Sequence, residues 1–130
     1  MRPERRSMND RTSKLLLDAY HACGDATSFV DGVTLEQYNR SLLVRSGVER
    51  QILIIAEAIS KADKLDPGLE SRLPEYKRLR GMRNRIVHDY ERTDNKVVWM
   101  TAKRHLPILR DRLAVLLTEA GWGHALDAET

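Results

Sequence analysis

Cysteine is almost absent from this sequence: Cys23 stands alone, so no disulfide can form within the chain. That points to a reducing interior, and a buried, inert thiol is the expected role for Cys23. Aromatic residues make up only 5% of the chain, and Gly and Pro number 7 and 4, which leaves no low-complexity or linker-like tract. No apolar run approaches the roughly 20 residues of a membrane-crossing helix. The first residues, MRPERRSMND, are charged and lack the apolar region of a secretory signal, so the expected location is cytoplasmic. The four histidines, His21, His88, His105 and His124, lack the spacing of a zinc site. A GxxxxGK[S/T] phosphate loop is missing too. No pair of carboxylates flanks any histidine, and neither a metal nor a cofactor is expected.

What remains is a chain of 130 residues, 42% hydrophobic and 32% charged, with a formal net charge of +3. Such a length suits one domain with one core. Leu, Ile, Val and Ala dominate the apolar set, which favours helices packed on helices. The charge is unevenly spread. Between Arg72 and Arg92 there are seven basic residues (Arg72, Lys77, Arg78, Arg80, Arg83, Arg85 and Arg92) and three acidic ones. This segment can attract a polyanion, although a merely solvated basic helix face is the plain alternative.

Apolar spacing at Leu16, Ala19, Tyr20, Cys23, Ala26 and Val30 predicts a first helix, stopped by Asp31-Gly32. Thr34 with Gln37 forms a capping-box pattern. It opens a long second helix through Asp63, with Val48, Ile52, Ile55 and Ile59 on one stripe and Gly47 as a bend. Lys64 to Leu73 reads as a connection, and Pro74 as the first turn of a third helix with apolar positions Tyr76, Leu79, Met82, Ile86 and Val87. Thr93 or Asp94 caps a last helix, which Pro107 must kink or restart. The expected architecture is all-α, an antiparallel bundle of four to five helices over residues 11–120. A flexible basic extension precedes it over 1–10, with Met8 as an alternative start, and a mobile tail follows over 121–130. Tyr20, Tyr38 and Tyr76 read as core or interface aromatics, Trp99 and Trp122 as packing and tail residues, and Glu49 and Glu57 as helix-surface or dimer hydrogen-bonding groups.

One stretch carries chemistry: GMRNRIVHDY, from Gly81 to Tyr90. Arg83 and His88 are five residues apart, which on a straight helix separates them by roughly 140°. A working site would therefore lie at a helix end, at a seam between two copies, or both. Histidine titrates in the range needed for proton transfer, and guanidinium suits phosphate. Together they could cleave RNA without metal: His88 moves a proton at the ribose 2′-OH or the leaving oxygen, and Arg83 stabilises charge on the phosphoryl oxygens. The product of that route is a 2′,3′-cyclic phosphate. The structural alternative is a histidine at the negative end of a helix beside ordinary surface arginines.

Arg83, four residues, His88, one residue, Tyr90, with Asn84 next to the arginine, resembles the signature of the HEPN superfamily, in its HepT-like toxin branch of the HepT/MntA type. The stretches VERQILIIAEAISKAD and VVWMTAKRHLPILRDRL resemble the long second and last helices of that family. The likeness runs from about Leu15 to Leu117; Ala56 stands where the family commonly has glycine. The resemblance implies a helical homodimer acting as a metal-independent endoribonuclease on an RNA such as tRNA or mRNA. It further implies the toxin half of a toxin–antitoxin pair, neutralised by a minimal nucleotidyltransferase that adenylylates Tyr90, as a dimer or in a larger assembly with that partner. In that reading Arg83 and His88 are catalytic, Asn84, Arg80 and Arg85 bind or support the substrate, and Tyr90 is modified. Two rival classes stand beside it: a nucleotide- or polyanion-binding partner of a nucleotidyltransferase, and a plain interaction bundle.

Overall fold

The computed structural model describes residues 8–127; most of the basic extension and the last three positions lie outside them. Each helix begins where a side chain can take up the free amides of its first turn. Helix α1 (Asp10–Phe29) starts at Asn9, whose side chain accepts from the Arg11 N–H at 2.7 Å. It stops before Gly32, which takes a positive φ of 71°. The capping box forms as expected: Gln37 N–H donates to Thr34 Oγ1 at 3.1 Å, and Thr34 N–H donates to Gln37 Oε1 at 2.9 Å.

The long second helix is in fact two. Helix α2 (Leu35–Arg40) ends at Ser41, an extended residue with φ −111° and ψ 98°, whose hydroxyl accepts from the Val44 N–H at 3.1 Å to start α3 (Leu42–Leu65). A serine able to cap its own downstream amides competes with helix continuation, and here the cap wins. Gly47 is not a bend. It lies inside α3, where the Phe29 ring packs so closely that a Cβ would sit 3.2 Å from it. The connection that follows contains a single turn, α4 (Leu69–Arg72), before α5 (Tyr76–His88).

The last helix is also interrupted where sequence points. Asp94, rather than Thr93, caps α6 (Asn95–Met100), accepting from the Lys96 and Val97 N–H groups at 2.9 and 3.4 Å. Thr101–His105 form a wide π turn in which Leu106 N–H reaches back to Thr101 O. That extra residue re-registers the ladder just ahead of Pro107, which then occupies the first turn of α7 (Leu106–Glu119), where its missing N–H is harmless.

Helix α1 lies between α3 and α7, while α5 packs on α3, and α2 touches both α3 and α6. The core joins Leu16, Ile52, Ile55, Ile59, Leu106, Leu109, Leu113 and Leu117, all fully buried. Tyr20, Tyr38 and Tyr76 are buried with them. Trp99 ties the α1–α2 loop to α6 through its indole N–H, which donates to Val33 O at 2.9 Å. Val87, expected on the apolar stripe of α5, is 47% exposed. Residues 121–127, expected as a mobile tail, include a 3-10 turn at Gly123–Ala125, and Trp122 and Leu126 pack against the core. Among the described residues the fold is all-helical, and no helix is long and apolar enough to cross a membrane.

Because Ser41 caps α3 through its hydroxyl, Ser41→Ala should lower the unfolding free energy by about 1 kcal/mol. Urea denaturation of the two proteins, with an unchanged m-value, is the check.

Candidate functional site

The basic segment becomes helix α5, and only a narrow seam of it is buried: Tyr76, Leu79 and Met82, with Ile86 packed against the core. At roughly 100° per residue, this seam leaves two flanks. One carries Arg80, Arg83, Asn84 and Val87. The other carries Lys77, Arg78, Gly81, Arg85 and, at the helix end, His88.

The first flank faces α3. There the side chains of Arg80, Arg83 and Asn84 border an open groove of about 390 Å³ with Glu57, Ser60, Lys61 and Lys64. Arg83 donates to Glu57 Oε2 at 3.4 Å and to Asn84 Oδ1 at 3.2 Å. Its side chain is only 31% exposed, so the guanidinium is held in place rather than sweeping through solvent. Glu57 is thus the acid that orients Arg83, a pairing the sequence spacing does not reveal. Arg80 is drawn toward Glu70 at 3.3 Å and lies over the Tyr76 ring.

Helix α5 stays regular through His88 and ends at Asp89, whose N–H closes the last turn on Arg85 O at 2.8 Å. His88 is exposed, and it is not among the residues bordering the Arg83 groove. The helix does end at the histidine, as one of the two expectations required, but it does not distort to bring His88 and Arg83 onto one face. A 3-10 turn, Tyr90–Arg92, follows directly, and its Tyr90 is 55% exposed.

The surprise lies beneath Tyr90. Glu49, expected as a helix-surface or dimer hydrogen-bonding group, is 7% exposed. Burial raises its carboxyl above the ordinary carboxylate range, against the opposing pull of the Tyr90 hydroxyl and the Arg45 guanidinium. One of its oxygens, Oε2, lacks a hydrogen-bond partner among the described residues, as does the Tyr38 hydroxyl. Tyr38 is pushed up as well, first by burial and then by the nearby Glu49 charge, with Tyr90 adding to it. Glu49, Tyr38 and Tyr90 therefore form one electrostatic unit under the end of α5. Sequence offered only a weak sign of this, an acid directly after Val48 on the apolar stripe of α3. Cys23 is fully buried, and burial lifts its thiol far above the reactive range. The metal-ligand test is equally plain: among the described residues no cluster of three or more His, Cys, Asp or Glu could hold an ion.

A helical bundle with a basic helix ending in Arg-x4-His-x-Tyr is the context in which sequence likeness becomes informative. Residues 19–116 match the family described as "Ribonuclease HepT-like", so the chain belongs to the HepT-like ribonuclease family. Two proteins of Methanocaldococcus jannaschii, "Putative RNase MJ1216" and "Putative RNase MJ0125", are each 26% identical to it over 104 residues. Those matches span 80% of this chain and 85% and 89% of the two relatives. "Putative RNase TTE0752" of Caldanaerobacter subterraneus subsp. tengcongensis is 25% identical over 88 residues, covering 68% of this chain and 78% of its own. No solved structure matches significantly.

The buried acid gives a pH signature. A carboxyl whose folded pKa is raised binds more protons in the native than in the unfolded state, so it costs stability as pH climbs from the unfolded value near 4.3 through the folded one. Glu49→Gln removes that cost. Its melting temperature should exceed that of wild type at pH 8, with the gap shrinking toward pH 4; thermal scans across that range test it, and a gap independent of pH would contradict the burial of a charge.

Proposed function

We propose that the chain is a metal-independent endoribonuclease that acts as the toxin of a two-gene module. The observation that carries this reading is the motif at the end of α5, with Arg83 steadied by Glu57 and Asn84 while His88 and Tyr90 stand open to solvent. RNA provides its own nucleophile. His88 takes the proton of the ribose 2′-OH as the 2′-oxygen bonds to phosphorus, or supplies one to the 5′-oxygen as the P–O5′ bond breaks. Arg83 stabilises the charge gathering on the non-bridging oxygens. The products are a 2′,3′-cyclic phosphate and a free 5′-OH, with no water consumed in this step.

Within one chain the two groups face different ways, so the reading includes a homodimer in which a second copy brings its motif alongside. Exposed Val87 and Tyr90 beside the motif, and Leu42 and Leu43 at the start of α3, supply apolar surface for such a contact. Neutralisation follows from the position of Tyr90. Transfer of AMP from ATP to its hydroxyl by a minimal nucleotidyltransferase, with pyrophosphate leaving, would add a phosphodiester anion and a base at the mouth of the site, and remove the phenolic proton that faces Glu49. Backbone-directed chemistry of this kind leaves the choice between tRNA and mRNA to contacts outside the motif.

Purified wild-type protein should cleave bulk RNA in EDTA, leaving cyclic phosphate ends. Arg83→Ala and His88→Ala should each slow cleavage by about 10²–10⁴-fold with the oligomeric state retained. A His88→Ala protein that cuts at the wild-type rate would remove the proton-transfer role. Co-expression with the nucleotidyltransferase should add one or more adenylyl groups to the peptide bearing Tyr90, and Tyr90→Phe should abolish that mass shift.

A further inference from the structure

The second flank of α5 also borders a groove, and of the residues lining it the catalytic reading uses only Arg85. About 230 Å³ in volume, it lies between α5 and α6 and is edged by Lys77, Arg78, Gly81 and Arg85 on one side and Thr93, Asp94 and Val97 on the other. Its charge is unspent. The ion pairs of this region join Arg72 to Glu119, Arg80 to Glu70, Arg83 to Glu57, Arg92 to Asp89 and Arg112 to Glu75. Lys77, Arg78 and Arg85 enter none among the described residues. The one acid in the groove, Asp94, is committed to the amides of Lys96 and Val97 at the start of α6. The Thr93 hydroxyl in the wall has no hydrogen-bond partner among the described residues.

Gly81 supplies an independent sign. Glycine inside a helix is unfavourable relative to alanine, and it is normally excused by a neighbour that leaves no room for a side chain. Here a Cβ would meet nothing within 4 Å, and φ is not positive. Neither packing nor backbone conformation calls for a glycine at this position. What its missing side chain does provide is a bare, exposed stretch of backbone at the edge of a groove whose buried members are Met82 and Val98, and a ligand can approach it closely.

His88 is not among the residues bordering this groove either, but helix geometry places it on the same flank, three residues beyond Arg85. On a regular helix Lys77, Arg78, Gly81, Arg85 and His88 fall within an arc of roughly 100°, and the distance from Lys77 to His88 along the axis is roughly 16 Å. That length accommodates several nucleotides at about 3.4 Å each along a strand. We propose that the α5/α6 groove is a phosphodiester-binding subsite in which Lys77, Arg78 and Arg85 hold the backbone of single-stranded RNA and lead it to His88. It rests on the ribonuclease reading for its ligand but not for its test, because binding can be measured without cleavage. Specificity here is for charge and spacing rather than for bases, since lysine and arginine on a backbone carry no sequence information.

The test is fluorescence anisotropy with a 2′-O-methyl oligonucleotide, which lacks the reactive hydroxyl, titrated with the full chain at several salt concentrations. Lys77→Ala combined with Arg78→Ala should weaken binding about 10-fold or more near 0.1 M salt and make the slope of log K against log salt shallower by about 1.4, the loss of two phosphate contacts. Gly81→Leu keeps every charge but covers that bare edge; it should weaken binding several-fold, whereas Gly81→Ala should raise the melting temperature with a smaller effect on binding. On cleavable RNA the double variant should act mainly through KM. Unchanged affinity and slope in the double variant would overturn the subsite. So would a poly-glutamate of equal charge that competes as well as RNA, since the groove would then fit an acidic protein. If wild type binds the oligonucleotide through Lys77 and Arg78 yet no RNA is cleaved, the subsite stands and the catalytic reading falls.

Discussion

The seam between α5 and α3 is the constraint from which the rest of the molecule follows. Tyr76, Leu79 and Met82 are the apolar positions that α5 offers at helical spacing, and their burial fixes the rotation of a helix that is otherwise almost wholly polar. Once that rotation is set, the remaining arginines and lysines have no freedom to choose sides. Arg80 and Arg83 turn toward the acids of α3 and α4, while Lys77, Arg78 and Arg85 turn toward α6. Apolar burial of a few side chains, each worth about 1.5–3 kcal/mol, thereby positions charges whose own pairings at the surface contribute little to stability.

How far the sequence foretells this depends on the range of the interactions involved. The capping box at Thr34, the stop before Gly32, the interruption ahead of Pro107 and the stripes of α1 and α3 are local, and each is legible because the residues that cause it are neighbours. Ser41 is equally local, yet the sequence does not single it out: serine fits both a helix interior and a cap, and the packing of α2 against α3 and α6 decides between them. Gly47 misled for the opposite reason. Its lack of a side chain answers a ring 18 positions earlier, Phe29, not a bend in its own backbone. In the candidate site, the identity of Arg83, His88 and Tyr90 is visible from their spacing and the family likeness. The partners Glu57 and Glu49 are not, because both contacts join α3 to residues more than 25 positions away.

Glu49 is a costly residue in this arrangement. A carboxylate shut away with one oxygen unpartnered destabilises the fold relative to an apolar or amide side chain of the same size. Expensive buried polar groups are kept where they hold something in position or respond to something. The neighbours of Glu49 are the Arg45 guanidinium and two phenols, one buried in the core at Tyr38 and one reaching solvent at Tyr90. Any chemistry at the Tyr90 hydroxyl would therefore be felt by a charge inside the bundle, which gives a modification at the surface a route to the packing of α2 on α3.

The two flanks of α5 bear on the proposed pairing of two copies. A strand of RNA held by Lys77, Arg78 and Arg85 would arrive at His88 on the side of the helix away from the core. Arg83, whose guanidinium donates to Glu57 at 3.4 Å, faces α3. Twisting the end of α5 by the roughly 140° that separates them would tear Met82 and Ile86 out of the core, so flexibility within the chain is a poor solution. A second copy related by a twofold axis needs no such distortion. Two α5 ends brought together would set the histidine of one beside the guanidinium of the other, and would do so twice, because a twofold contact repeats every pairing it makes. On that geometry cleavage would depend on protein concentration below the dimerisation constant, and an equimolar mixture of Arg83→Ala and His88→Ala proteins, each inactive by itself, would regain activity. Mixed subunits carry one intact pair, so up to about a quarter of the wild-type rate would return if copies exchange at random. A mixture that stayed silent while exchanging subunits would place both groups of the working site in the same chain.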